Sequence, residues 1–318
     1  MKQTCISCGK PCNSISCSSK CHNNWMRRRR YKQKKMEIKY RTFRIPKRTG
    51  GARVIEQPID GGLEILQDKL KDIEKIKGLK PSYFAHSFMH GRNIVTCARQ
   101  HFGKKFIARI DIKDFFGSIT YDNFKKVVFP KRSIEITKID NVDEIMESIQ
   151  ICFKDDGKGK LYLPQGSPTS PFLSNAYMRN FDWKMAWYCY ERGVTYSRYA
   201  DDIYLSTDKQ DKTFWSCIHC VVNSFKGIYL KENKKKRKVM KAGMRMNVVG
   251  VVCNEKFQVN KKTRKIIRAI LHNASKSGEE LTSEQKGLIN FRDMVANYKS
   301  EVESNLEVCR GLAVINAI

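Results

Sequence analysis

Val194-Thr195-Tyr196-Ser197-Arg198-Tyr199-Ala200-Asp201-Asp202-Ile203-Tyr204-Leu205-Ser206 is the stretch that decides the fold. Apolar, aromatic and β-branched residues flank a short polar centre, which reads as strand, turn, strand. A second apolar run, residues 106–112, reads as a buried strand that closes on Asp111. Core packing does not explain acids in such places. Neighbouring buried carboxylates repel and need protons or cations. An Asp-Asp pair alone could simply make a turn. Brought together, Asp111, Asp201 and Asp202 make a site for two Mg²⁺ ions ~3.5–4 Å apart. Such ions clamp the attacking and leaving oxygens of an in-line phosphoryl transfer.

Working outward, residues 41–57 alternate apolar and polar about Gly50-Gly51, as two strands joined by a turn do. Leu63, Leu66, Leu70 and Ile73 share one helical face. Tyr162 to Gly166 is a strand entering a turn, and Pro171 to Cys189 is a helix with large apolar residues. Residues 218–226 are helical, and residues 248–252 read as one further strand. Thr282 with Gln285 makes a capping box ahead of Leu288, Phe291, Val295, Tyr298 and Val302 at helical spacing. Strands and helices interleave without a βαβ rhythm, so the class is α+β rather than doubly wound.

The chain has 318 residues, with 61 Lys or Arg against 32 Asp or Glu, a net charge of +29. That surplus points to a polyanionic partner, because Lys and Arg displace counterions from phosphates. A hydrophobic share of 41% excludes global disorder. No apolar stretch reaches the ~18 residues of a spanning helix, so no membrane partner is expected. The first ten residues lack the apolar region of a secretory signal, which leads us to expect a cytoplasmic protein.

Five of the 12 cysteines fall within residues 5–21, which favours a metal site over a disulfide scaffold. Cys5-x-x-Cys8-Gly9 and Cys17-Ser18-x-x-Cys21 supply two knuckles, so Cys5, Cys8, Cys17 and Cys21 are the expected ligands of one structural Zn²⁺. Arg27, Arg28, Arg29 and Arg30 follow, with Trp25 and Tyr31 beside them. They form a candidate RNA-binding arm, since aromatics stack on unpaired bases. Further basic stretches span residues 231–241 and 261–268.

Together these residues resemble the reverse transcriptase family. Tyr199-Ala200-Asp201-Asp202 resembles its motif C, and Asp111 to Phe116 its motif A. Residues 163–171 (Leu-Pro-Gln-Gly-Ser-Pro-Thr-Ser-Pro) resemble motif B, and Gly227 to Lys236 motif D. Residues 43–55 resemble the fingertip hairpin. The order and spacing agree from residue 41 to about residue 300. The resemblance implies a right-hand polymerase preceded by a small zinc finger. Its parts would be a Cys₄ finger with basic arm at 1–35, fingers at 36–105, a palm at 106–245, and a strand with a short helical thumb at 246–318.

It also implies roles. Asp111 and Asp201 would hold both Mg²⁺ ions, with Asp202 completing the charge. Lys47 and Arg53 would bind the triphosphate. Phe116 would stand under the sugar and exclude a 2′-hydroxyl. Gln165 would pack by the incoming nucleotide and template. Lys236 is the candidate acid for leaving pyrophosphate, though Lys234 and Lys235 are hard to separate from it.

The Gln165-Gly-x-x-x-Ser170-Pro171 form is that of retron and group II intron enzymes. His101 keeps one retron position, but Cys97 stands where retrons carry Asn and Val249 where they carry Thr. Both departures favour a retron-like relative among bacterial defence-associated reverse transcriptases. The implied function is RNA-directed DNA synthesis in antiphage defence. Expected partners are dNTPs, a cognate noncoding RNA template, the RNA–DNA duplex and an effector protein; the oligomeric state stays open. Rival readings are a template-independent or protein-primed DNA polymerase, and a non-catalytic RNA-binding or maturase-like protein. The three acids and Gln165-Gly166 argue against the last.

Overall fold

The computed structural model describes residues 3–4, 11–12, 38–46, 50–130, 142–278 and 280–304. A two-residue antiparallel pair, β1 (Gln3–Thr4) and β2 (Pro11–Cys12), comes first. The hairpin β3 (Tyr40–Pro46) and β4 (Ala52–Pro58) follows. Between them Gly50 and Gly51 adopt φ of 86° and 77°, a conformation that suits glycine. Helices α1 (Gly62–Glu74) and α2 (Ile94–Arg99) lead to β5 (Phe106–Asp111). Of the expected face of α1, Leu66 and Ile73 are buried. The Asn93 side chain caps α2 by accepting from the Val95 and Thr96 N–H groups.

Short helices α3 (Phe115–Ser118), α4 (Tyr121–Val128) and α5 (Val142–Gln150) precede a small pair, β6 (Lys154–Asp155) and β7 (Leu161–Tyr162). The long α6 (Ser170–Tyr190) then feeds β8 (Thr195–Tyr199) and β9 (Asp202–Thr207). After α7 (Lys212–Ser224) come β10 (Lys238–Lys241), β11 (Asn247–Val248), β12 (Val251–Cys253) and β13 (Phe257–Val259). Helices α8 (Lys261–Ser277) and α9 (Ser283–Ser304) end the described chain. The α9 capping box forms as expected: Gln285 N–H donates to Thr282 Oγ1 at 3.2 Å, and Thr282 N–H to Gln285 Oε1 at 2.9 Å. The architecture is α+β.

A four-stranded antiparallel sheet, ordered β10-β5-β9-β8, organises the molecule. Period-two alternation sorts its side chains onto two faces. Ala108, Ile110, Ile203, Leu205 and Tyr196 join the main core, which includes the inner face of α6. Ile107, Tyr204 and Met240 point the other way into a second core with α2, α9 and the β11-β12-β13 sheet. Arg109, Asp111 and Asp202 share that second face, at the end where its apolar cover stops.

The expected single strand over 248–252 is two strands. Val249 and Gly250 take φ of 47° and 92° and fold the chain back, so that Val248 pairs with Val251. A continuous apolar run gives no periodicity with which to see that turn.

On the main-core face, Arg198 is fully buried and paired with fully buried Asp182 of α6. Arg198 Nε and NH2 donate to the two Asp182 oxygens at 2.9 and 2.8 Å, and NH2 reaches Asn175 Oδ1 at 3.1 Å. Tyr196 OH also donates to Asp182, at 2.7 Å. Asp182→Asn leaves a buried guanidinium without its counter-charge. The expected loss is about 3–5 kcal/mol of unfolding free energy, read from urea unfolding. A loss below ~1 kcal/mol, the size of an exposed pair, would show that the pair does not hold sheet and helix together.

Candidate active site at the end of the central sheet

The site is built where β5 stops and β8 turns into β9. The β5–β9 register sets Asp111 opposite Asp202, while Tyr199 pairs with Asp202 from β8. Ala200 turns the chain with φ 54°. Its N–H donates to Ser87 Oγ at 2.7 Å, and its carbonyl accepts from Arg198 NH1 at 3.0 Å. Ile112 N–H donates to the Asp201 carbonyl at 2.9 Å, tying the turn to the end of β5.

Each acid has its own surroundings. Arg109 grips Asp202 with a two-pronged fork, Nε to Oδ1 and NH2 to Oδ2, both at 2.9 Å. Asp111 is buried. Its Oδ2 accepts from Lys236 Nζ at 2.8 Å, and its Oδ1 has no hydrogen-bond partner among the described residues. Asp201 has no ion-pair partner among them. Burial, then the charge of Asp111, raises the Asp201 pKa. Burial raises Asp202 to about 6, against the lowering pull of Arg109 and with the added push of Asp201 and Asp111.

These partners correct the cofactor expectation. Among the described residues there is no group of three or more His, Cys, Asp or Glu that could hold a metal ion. Of the acids expected to share two Mg²⁺ ions, Asp202 meets the Arg109 fork and Asp111 meets Lys236 instead. Cys5, Cys8, Cys17 and Cys21, expected as zinc ligands, lie outside the described residues, as do Arg27, Arg28, Arg29, Arg30 and Lys47. Cys97, Cys152, Cys189, Cys217, Cys220 and Cys253 are free thiols, and among the described residues no cysteine joins a group that could serve as a substitute centre.

The other predicted residues fall as follows. Arg53 is exposed near the tip of the β3–β4 hairpin, opposite Ile45. Gln165 is half-buried in the loop before α6. Its carbonyl accepts from Glu56 N–H at 2.7 Å, which docks β4 on that loop. Gly166 takes φ 126°, and a Cβ there would lie 2.8 Å from the Glu56 carbonyl oxygen. Only glycine permits that approach. Phe116 is half-buried, its ring 6.4 Å from that of Phe88. Lys236 is half-exposed and touches Asp111.

The expectations missed Arg109, although a charge two residues before Asp111 in an apolar strand shares its face and was a readable signal. They also missed Ser87, Asn175 and Asp182, whose roles depend on tertiary contacts. His101, read as a family position, is a buried brace: its ring nitrogens lie 2.7 Å from Ser197 Oγ and Ser206 Oγ, joining β8 to β9.

With this geometry in place, comparison decides the family. Residues 45–286 match the reverse transcriptase (RNA-dependent DNA polymerase) family. The chain belongs to that family. Its relatives include the retron Mx65 reverse transcriptase of Myxococcus xanthus, 30% identical over 75% of this chain and 56% of that protein. The retron Ec83 reverse transcriptase of Escherichia coli is 32% identical over 54% of each. The retron Ec86 reverse transcriptase of Escherichia coli is 30% identical over 74% of this chain and 70% of that one. The chain therefore spans little more than half the length of the Mx65 and Ec83 proteins. Among solved structures, apo telomerase from Candida tropicalis superposes with a TM-score of 0.45 at 17% identity, covering 75% of this chain and 59% of that one. No helix among the described residues is long and apolar enough to cross a membrane.

The braces beneath this site carry a pH signature. Burial first, then His86 and Lys104, push His101 down to about 3. Burial, then Arg92 and Arg198, do the same to His86. A folded value below the ordinary ~6.5 means that the unfolded chain takes up the proton first as pH falls. Stability from each histidine is therefore full above ~6.5 and declines by about 1.4 kcal/mol per pH unit below it. Asp202 works in the opposite sense below about 6, because its folded value is raised. Urea melts at pH 7 and pH 5 should show the net loss, and His101→Gln should remove its own share of the slope. An unchanged slope would place His101 in contact with solvent.

Proposed function

We propose that this chain is a retron-type RNA-directed DNA polymerase that copies a cognate noncoding RNA into DNA and serves in antiphage defence. The observation that carries the reading is the cross-strand register of Asp111 with Asp202, with Asp201 at the adjoining turn. It gathers acids and cations at one sheet end within a family-matched chain. The retron relatives support a retron RNA as template and the RNA–DNA duplex as product.

The reaction joins a primer hydroxyl oxygen to the α-phosphorus of a dNTP and releases pyrophosphate. In this reading the chain's own groups orient the reactants. Asp111, Asp201 and Asp202 are the catalytic carboxylates, and Arg109 fixes the direction of Asp202. Lys236, already charged against Asp111, turns to the leaving pyrophosphate. Arg53 and Lys47 take the triphosphate from the hairpin side, Gln165 lies beside the nascent base pair, and Phe116 faces the sugar. Residues 36–105 act as fingers, 106–245 as palm, and 246–318 as the strand and thumb that hold the duplex. The arm Arg27 to Arg30 adds grip on RNA, and an effector protein joins the complex.

Asp201→Asn should lower dNTP incorporation about a hundredfold or more, the usual cost of losing one preorganised charge. RNA affinity should hold, because it comes from the basic surface. Incorporation at the wild-type rate would overturn the catalytic assignment.

Phe116→Ala should open space for a 2′-hydroxyl and raise kcat/KM for rNTPs relative to dNTPs by about tenfold, near 1.4 kcal/mol of lost discrimination. An unchanged ratio in an active variant would show that Phe116 is a packing residue.

A further inference from the structure

The outer face of α6 carries aromatic rings that the catalytic site does not use. Helices that pack on a core place their apolar residues inward. Here Trp183, Trp187 and Tyr190 remain 43%, 52% and 41% exposed, and no exposed large aliphatic residue accompanies them on this helix. Trp187 and Tyr190 have ring centroids 6.0 Å apart. At the other end Trp183 meets Phe84 edge-on at 5.1 Å, and Phe84 meets Tyr83 at 5.7 Å, with Tyr83 62% exposed. The rings thus form one track along the helix and onto the adjoining segment.

Cations accompany the track. The Arg92 guanidinium lies over the Tyr83 ring at 4.2 Å. Exposed Lys184 sits between the two tryptophans in sequence. Arg192, just beyond Tyr190, lies over Tyr188 at 3.6 Å. The acid on this face, Glu191, is 3.4 Å from Arg192 and so partly neutralised. The Cys189 carbonyl, in the last turn of α6, accepts from Val194 N–H just before β8, so Trp187 and Tyr190 lie by the end of β8 opposite the Asp201–Asp202 turn. Trp183 lies nearer that turn, since its neighbour Asp182 pairs with Arg198, but its exposed ring is on the outer side of the helix.

Stacked rings with interleaved positive charge suit unpaired bases and their phosphates, because every base offers a π face. Trp, Tyr and Arg also anchor protein interfaces, so the choice of ligand rests on charge: the chain carries +29, and the cations beside these rings complement phosphates. We propose that the outer face of α6 binds a single-stranded polynucleotide, its bases stacking on Trp183, Trp187 and Tyr190 and its phosphates meeting Lys184, Arg92 and Arg192. The site is distinct from the polymerase site and needs no nucleotide addition, so it can fail or hold independently of the proposed catalysis.

The test uses the full chain and a 12-nucleotide uridine RNA with 5-iodouracil at alternate positions, beside a DNA of matching sequence. Irradiation should cross-link the oligonucleotide to peptides containing Trp183, Trp187 or Tyr190, mapped by mass spectrometry. Preference for one strand type tells an RNA ligand from a DNA product; equal cross-linking means that both are taken. Trp183→Ala with Trp187→Ala should remove those cross-links and weaken oligonucleotide binding by about tenfold per ring. Trp183→Phe with Trp187→Phe should restore most of both, which separates stacking from misfolding. Cross-links that map only elsewhere would overturn the proposal. So would a double alanine variant that binds the oligonucleotide unchanged but loses self-association by light scattering, since the face would then be a protein interface.

Discussion

The buried pair of Arg198 and Asp182 is the interaction on which the site depends. Arg198 has five donors, and the structure directs them to helix and turn together. Asp182 and Asn175 of α6 take Nε and NH2, while NH1 holds the Ala200 carbonyl. Asn175 Nδ2 in turn donates to the Ser87 carbonyl at 2.8 Å, and Ser87 Oγ accepts from Ala200 N–H. The loop of bonds therefore closes through three separate segments of chain. A lysine could not substitute, because a single ammonium lacks the planar fork that serves both partners. Burying such a charge is costly in itself, and the return lies in a turn held in one conformation.

That turn places a change of chemistry at the sheet end. On the second face, Ile107, Tyr204 and Met240 are covered by apolar side chains, whereas Arg109, Asp111 and Asp202 lie past that apolar cover, with Asp111 still buried and bonded to Lys236. One strand alternation thus builds both a core and a charged site. Tyr204 belongs to both: its ring is buried, and its hydroxyl accepts from Val249 N–H at 3.1 Å near Asp202. The Val249-Gly250 turn and the acids are consequently linked by a single rigid ring.

Much of this was legible in the sequence because it is local. The two apolar halves around Asp201-Asp202, the run ending in Asp111, the Gly50-Gly51 hairpin and the Thr282–Gln285 box each carry their signal within a few residues. The α+β class followed from them. Asp182 was not legible as the partner of Arg198, since an acid in a helix reads as a solvated charge until the helix is packed. The β11–β12 turn was hidden by a run of valines. Two Mg²⁺ ions were expected because the acids were counted without their cations, Arg109 and Lys236. The first lies in the same strand as Asp111, while the second is brought to it from 125 residues away.

The two cations differ in how firmly they are held, and that difference orders events in the proposed reaction. Arg109 is bound through two parallel bonds to one carboxylate, from a strand whose neighbours fix its backbone. Lys236 reaches Asp111 through one bond, from a short helical turn of three lysines at residues 234–236, and its side chain stays 51% exposed. Only the Lys236 end of this pair is exposed, and a single flexible ammonium exchanges more readily than a two-pronged fork. An arriving triphosphate presents more negative charge than one carboxylate, so it competes for Lys236 and leaves Arg109 in place. Asp111 then loses its Lys236 bond as the nucleotide gains one, and keeps Arg109 NH2 at 3.9 Å. Asp202 keeps its direction throughout, because both prongs of the Arg109 fork stay on it. The fixed arginine and the exchangeable lysine thereby divide the work of holding the site together and of letting it respond to substrate.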